Sequence, residues 1–128
     1  MNRALVVDDE EDIRNLVHAI LTGNGYEVFT ASTGEEALTK AVTLKPDLII
    51  LDVVMPGISG LEVCRLIKTK TTLKKIRVLM LSALSRDVDK KMIADSGADG
   101  YLRKPFSVND LLSKIDDMFS KPITSPVL

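Results

Sequence analysis

Residues 46–57 read PDLIILDVVMPG, a run of Leu48, Ile49, Ile50 and Leu51 that ends in the carboxylate of Asp52. An aliphatic strand is a poor place for an unpaired anion, because burial penalises the charged form. Compensation has to come from elsewhere in the chain. The neighbouring segments show where. ALVVD (4–8) and RVLMLSA (77–83) are also nearly continuous aliphatic runs, without the alternation of a half-exposed strand. Such runs mark strands covered on both faces, as in a parallel sheet flanked by helices.

The intervening segments carry helical periodicity. Ile13, Leu16, Val17, Ile20 and Leu21 mark one face of a first helix with acidic residues at its start, which Gly23 or Gly25 can end. EVFTA is a second strand, and Thr33 with Glu36 forms a capping box for a helix that stops before Pro46. GLEVCRLIKT is a third helix, DVDKKMIADSG a fourth ended by Gly97, and DGYLRKP holds a fifth strand. Ser107 and Asp110 cap the last helix, VNDLLSKIDDMF. Five strands alternating with five helices and joined by right-handed crossovers favour a doubly wound α/β fold. It would be flavodoxin-like, with a parallel sheet in the order 2-1-3-4-5, helices on both faces and a crevice at the carboxyl ends of strands one and three.

That order brings Asp8 and Asp9, after strand one, beside Asp52. Like charges about 4 Å apart repel by roughly 4 kcal/mol at an effective dielectric near 20. Either the carboxylates hold protons or cations belong among them. An all-oxygen donor set suits Mg²⁺, and Lys104, at the end of strand five, can bring its ammonium to the same crevice. Pro105 helps fix that lysine inward, a cis peptide being one way to do so. Ser82, beside Ala83 at the end of strand four, is placed to meet a phosphoryl oxygen. Glu10, Glu11 and Asp12 read as an acidic first helical turn, whereas the same reading of Asp8 and Asp9 leaves Asp52 unexplained. Lys104 alone would be a solvated lysine, but Pro105 after it at a strand end argues for an inward one.

The remaining composition narrows the function. The 128 residues suit one domain, with 45% hydrophobic and 27% charged residues and a net charge of −1. No basic field favours nucleic acid or a membrane surface. One cysteine excludes an internal disulfide and fits a reducing cytoplasm. Cys64 shares the inner face of the third helix with Leu61, and Met80 and Met118 suit the core. His18 falls on the polar side of its helix. KTKTTLKKIR reads as a solvated loop away from the crevice, and GNGY lacks the rest of a dinucleotide fingerprint. Residues 1–120 are expected to form the domain, with 121–128 a tail or the start of a linker.

Four motifs, VVDDE, LIILDVVMPGISGLEV, VLMLSA and GADGYLRKPF, follow one another at strand ends. Over about residues 3–119 the chain resembles the receiver domains of bacterial two-component response regulators, of which single-domain chemotaxis regulators are the simplest form. The resemblance implies that Asp52 is a phosphoacceptor and the chain a switch, not an enzyme in the ordinary sense. Asp9, Asp52 and the backbone carbonyl of Val54 would hold Mg²⁺ (or Mn²⁺) directly, with Asp8 acting mainly through a water. Lys104, Ser82 and the backbone around Ala83 would bind the phosphoryl oxygens, and Tyr101 would turn inward as Ser82 moves. Val54 and Leu84 would tune access of water to the acyl phosphate.

A phosphohistidine on a sensor histidine kinase or phosphotransfer protein would be the donor. An output protein or effector domain would read the face formed by helix four, strand five and helix five, with a monomer expected and dimerisation on phosphorylation left open. Two competing functions are a receiver-like docking module that works without phosphorylation and a Mg²⁺-dependent aspartyl phosphatase. Against the latter stand an adjacent acidic pair in place of D-x-D and the lack of a cap insertion.

Overall fold

The structure, a computed structural model, describes residues 2–83 and 86–121, apart from the side chains of Asp87 and Val88. Leu84 and residues 122–128 lie outside it. The elements are β1 (Arg3–Val7), α1 (Glu11–Thr22), β2 (Glu27–Ala31), α2 (Gly34–Leu44), β3 (Leu48–Asp52), α3 (Gly60–Thr69), β4 (Arg77–Ser82), α4 (Asp87–Asp95), β5 (Gly100–Arg103) and α5 (Val108–Phe119). All strand pairs are parallel and the order is β2-β1-β3-β4-β5, as the hydrophobic runs indicate.

The period of two along each strand divides the core into layers. Ala4, Val6, Leu48, Ile50, Leu79 and Leu81 pack with Val17 and Leu21 of α1 and Leu111, Ile115 and Met118 of α5. Their alternates Leu5, Val7, Ile49, Leu51, Val78 and Met80 pack with Ala37 and Ala41 of α2, Val63, Cys64 and Ile67 of α3 and Ile93 of α4. Strands β3 and β4 are buried almost throughout, which is why their sequences show no polar alternation.

Two local expectations need adjusting. Leu16 is 46% exposed: the buried stripe of α1 centres on Val17 and Leu21 and leaves Leu16 at its edge. At α2, Thr33 accepts from the Glu36 amide, but the Glu36 carboxylate reaches back to the amide of Ser32, not Thr33. The capping box is therefore half formed there. It is complete at α5, between Ser107 and Asp110. Gly97, at φ +90°, turns the chain out of α4 in a conformation that L side chains rarely adopt.

One buried ion pair fastens the end of the sheet opposite the crevice. Lys68 Nζ lies 2.6 Å from Asp99 Oδ2 and also donates to the Ile76 carbonyl at 2.6 Å. Asp99 in turn accepts from the Val78 amide at 2.8 Å. Removing one partner of a buried pair leaves the other charge uncompensated. Lys68→Met should therefore lower stability by roughly 3 kcal/mol in urea denaturation; a loss no greater than that of an exposed lysine would show that the pair contributes little.

Candidate functional site

The parallel register delivers the acidic residues. The Asp8 amide donates to the Ala31 carbonyl at 3.2 Å, extending β1 by one bond, while Asp52 ends β3 opposite Leu81. Asp8, Asp52 and Lys104 continue in phase with the strand positions that face α1 and α5. Lys104 is anchored by its own amide, which donates to the Ser82 carbonyl at 2.8 Å, and its bond to Pro105 is cis. Lys104 Nζ then lies 2.9 Å from Asp8 Oδ2, 3.4 Å from Glu10 Oε1 and 3.5 Å from Asp52 Oδ2.

Each of these three carboxylates offers an oxygen within 4.8 Å of the others. Asp8 is fully buried and Asp52 is 5% exposed. Asp8 Oδ1 accepts from the Glu10 amide, and the Asp8 carbonyl accepts from the Arg14 guanidinium. Asp52 Oδ1 receives the Val54 amide at 3.3 Å.

The electrostatics follow from one ammonium serving three anions. Burial, reinforced by the charges of Asp8 and Asp9, pushes the Asp52 carboxyl up to about 6, although Lys104 and the Val54 amide pull it down. Burial alone would lower Lys104, but its hydrogen bond to Asp8 and the charges of Asp52, Asp8 and Glu10 outweigh that and raise it. The Asp52 shift comes mainly from burial, with the like charges adding to it, whereas the Lys104 shift reports the surplus of anions around it. All the donors are hard oxygens, a set that fits a divalent cation of the Mg²⁺ type.

The other expected residues are distributed around this group. Asp9 is exposed and stands outside the three-carboxylate set, although its charge is felt at Asp52. Val54 is 62% exposed. Ser82 is fully buried, in phase with Val78 and Met80, and Tyr101 packs against the same layer opposite Met80. Ala83 lines a groove of about 380 Å³ with Glu10, Ile13, Leu16, Lys104, Pro105 and Phe106. His18 is exposed, and Cys64 is buried with its thiol pushed up by desolvation.

Glu10 and Gly60 were not apparent from the sequence as site residues. VVDDE put Glu10 in a helical first turn; only the placement of Lys104 draws it into the group. Gly60, the first residue of α3, packs on the backbone of Asp52. A Cβ there would lie 2.0 Å from the Asp52 carbonyl oxygen, and the Gly60 amide donates to Val53 O at 3.0 Å. The signal for it was faint, a glycine directly after the N-cap Ser59.

Residues 4–116 match the family described as "Response regulator receiver domain". The chain is 45% identical over 113 residues to the alkaline phosphatase synthesis transcriptional regulatory protein PhoP of Bacillus subtilis, covering 88% of this chain and 46% of that protein. It thus spans about half the length of the curated relatives it matches. Chemotaxis protein CheY4 of Vibrio cholerae superposes with a TM-score of 0.87 at 37% identity, over 92% of this chain and 98% of that one. The response regulator protein TrrA of Thermotoga maritima, solved in complex with Mg(2+)-BeF, gives 0.82 at 42% identity, over 92% of this chain and 99% of that one. The chain belongs to the response regulator receiver domain family.

Two predictions follow from this geometry. A carboxyl raised from 3.8 to about 6 on folding penalises the folded state above pH 6 by on the order of 3 kcal/mol, and not at all below about pH 4. Without divalent cations, Asp52→Asn should thus be the more stable protein at pH 7.5, by about 1–3 kcal/mol in urea denaturation. The gain should shrink as pH falls through 6 and vanish near pH 4. Gly60→Ala should destabilise by about 1–3 kcal/mol through overpacking and displace the Asp52 and Val53 amide resonances in NMR spectra.

Proposed function

We propose that this receiver domain is a phosphorylation-activated signalling switch, with Asp52 accepting a phosphoryl group from a phosphohistidine. The observation that carries this reading is a buried, strand-end carboxylate with an ammonium and two further carboxylates around it, next to an open groove that Glu10 and Lys104 also line. An Asp52 carboxylate oxygen attacks phosphorus in line as the bond to the donor nitrogen breaks. With its pKa near 6, Asp52 is mostly ionised at neutral pH and so has a lone pair to offer.

Lys104 moves from the carboxylates onto the phosphoryl oxygens, where its charge stabilises the transferring group. Mg²⁺, or Mn²⁺ in its place, would be held by Asp52 with Asp8, Asp9 or Glu10 and the Val54 carbonyl, and when bound supplies charge neutralisation for phosphoryl transfer. Ser82 and the backbone at Ala83 take the remaining phosphoryl oxygens. The chain is thereby a phosphoacceptor that assists its own modification and loss of the phosphoryl group.

The response runs through the other face of the sheet. Ser82 and Tyr101 share the layer that packs on α3 and α4, so drawing Ser82 toward a phosphoryl group opens space for the Tyr101 ring. The surface of α4, β5 and α5 repacks, and an output protein or effector domain reads the change as a population shift. The donor, a sensor histidine kinase or phosphotransfer protein, lands on the groove of Ile13, Leu16, Pro105 and Phe106 beside the site.

In this reading the protein works in the cytoplasm as a monomer and binds no nucleic acid through this domain. Residues 1–120 form the switch and 121–128 a tail or linker. Among the described residues, no helix is long and apolar enough to cross a membrane.

Intact-mass spectrometry after incubation with acetyl phosphate and Mg²⁺ should show one added phosphoryl group. The adduct should disappear in Asp52→Asn and with chelator. No adduct, together with unchanged Tyr101 fluorescence on adding beryllofluoride and Mg²⁺, would leave the phosphate-independent docking module as the better account.

A further inference from the structure

We infer that Glu10 is a specificity-determining residue that biases phosphoryl uptake against small, highly anionic phosphodonors. This inference rests on the phosphoacceptor reading of Asp52.

Three observations meet at Glu10. Its carboxylate is the exposed member of the acidic group: the side chain is 62% exposed, whereas those of Asp8 and Asp52 are 0% and 7% exposed. It lines an open groove beside Lys104, and its carboxylate offers an oxygen within 4.8 Å of one on Asp52. It also hydrogen-bonds the Lys104 ammonium at 3.4 Å, the group that must turn to an incoming phosphoryl oxygen. Any donor that reaches Asp52 therefore comes close to this negative charge and competes with Glu10 for Lys104.

The consequence scales with donor charge. Coulomb repulsion is proportional to the product of the charges, so its effect on the logarithm of the rate is twice as large for a dianion as for a monoanion. At roughly 6 Å in a water-like dielectric, one unit charge slows a monoanion about threefold and a dianion about tenfold, less in salt. A phosphohistidine docked on a protein carries its phosphoryl group in with contacts that offset this repulsion. A small donor has no such contacts.

The step itself is the same for every donor. A bond forms between an Asp52 oxygen and phosphorus. With acetyl phosphate the P–O bond breaks and acetate leaves with the electron pair. With phosphoramidate the P–N bond breaks and the nitrogen, already protonated, leaves as ammonia.

The test compares Glu10→Gln with wild type on acetyl phosphate, a dianion at neutral pH, and phosphoramidate, a net monoanion. Mg²⁺ is held saturating for each protein, as fixed by direct titration of Mg²⁺ binding. Glu27→Gln, at the far end of the sheet beside Arg3, serves as a charge-matched control. The expected result is a rate increase of about three- to tenfold with acetyl phosphate at low salt. The increase with phosphoramidate should be roughly the square root of that, the ratio should collapse at high salt, and Glu27→Gln should show neither effect.

Equal changes with both donors, or none, would overturn the inference and leave the phosphoacceptor reading intact. A wild-type protein that takes no phosphoryl group from phosphoramidate would instead sink that reading, and this one with it.

Discussion

The ammonium of Lys104 is the constraint on which the rest of the site depends. Asp8, Glu10 and Asp52 cannot converge without a cation, and among the described residues Lys104 is the one within ion-pair distance of all three. Its position is set by backbone: the Lys104 amide on the Ser82 carbonyl fixes where the side chain departs from β5. The compensation is incomplete by design, since Asp52 remains hard to ionise while Lys104 holds its proton more tightly. A folded domain that keeps such an imbalance sacrifices stability, on the order of 3 kcal/mol at Asp52, and keeps a site whose strain an added cation would relieve.

The sheet divides the work between its faces. Asp8, Asp52 and Lys104 are in phase with residues that pack on α1 and α5, whereas Ser82 and Tyr101 are in phase with those that pack on α3 and α4. The acidic group and the aromatic ring are therefore separated by one strand thickness, and Ser82, next to the crevice, belongs to the far layer. A two-residue period is enough to connect neighbouring strand ends to both layers of the core. Gly60 adds the third support by letting α3 press on the backbone of Asp52 itself.

The architecture was legible because its elements obey strong local rules. Unbroken aliphatic runs read as doubly covered strands, and the helices announced themselves by period and caps. The site was legible at Asp52, Asp8 and Lys104, because a strand-end charge in an apolar run demands a partner and the topology supplies one. What stayed hidden depends on distances between elements. Leu16 matched the helical period, yet lies outside the buried stripe, because the angle at which α1 sits on the sheet is not written in its spacing. Glu36 satisfied the capping motif but chose Ser32, one residue early. Glu10 looked like any acidic helix start, and nothing local said that a lysine 94 residues away would reach it. Gly60 acts through an atom it lacks, which no residue pattern displays.

The pair of Lys68 and Asp99 acquires a second meaning once the site is in view. It bolts the lower end of α3 to the chain entering β5, while the acidic group with Lys104 occupies the opposite rim of the same sheet. The end of the sheet away from the acidic group is thus pinned by charge as well as by packing, whereas the crevice end carries surplus negative charge.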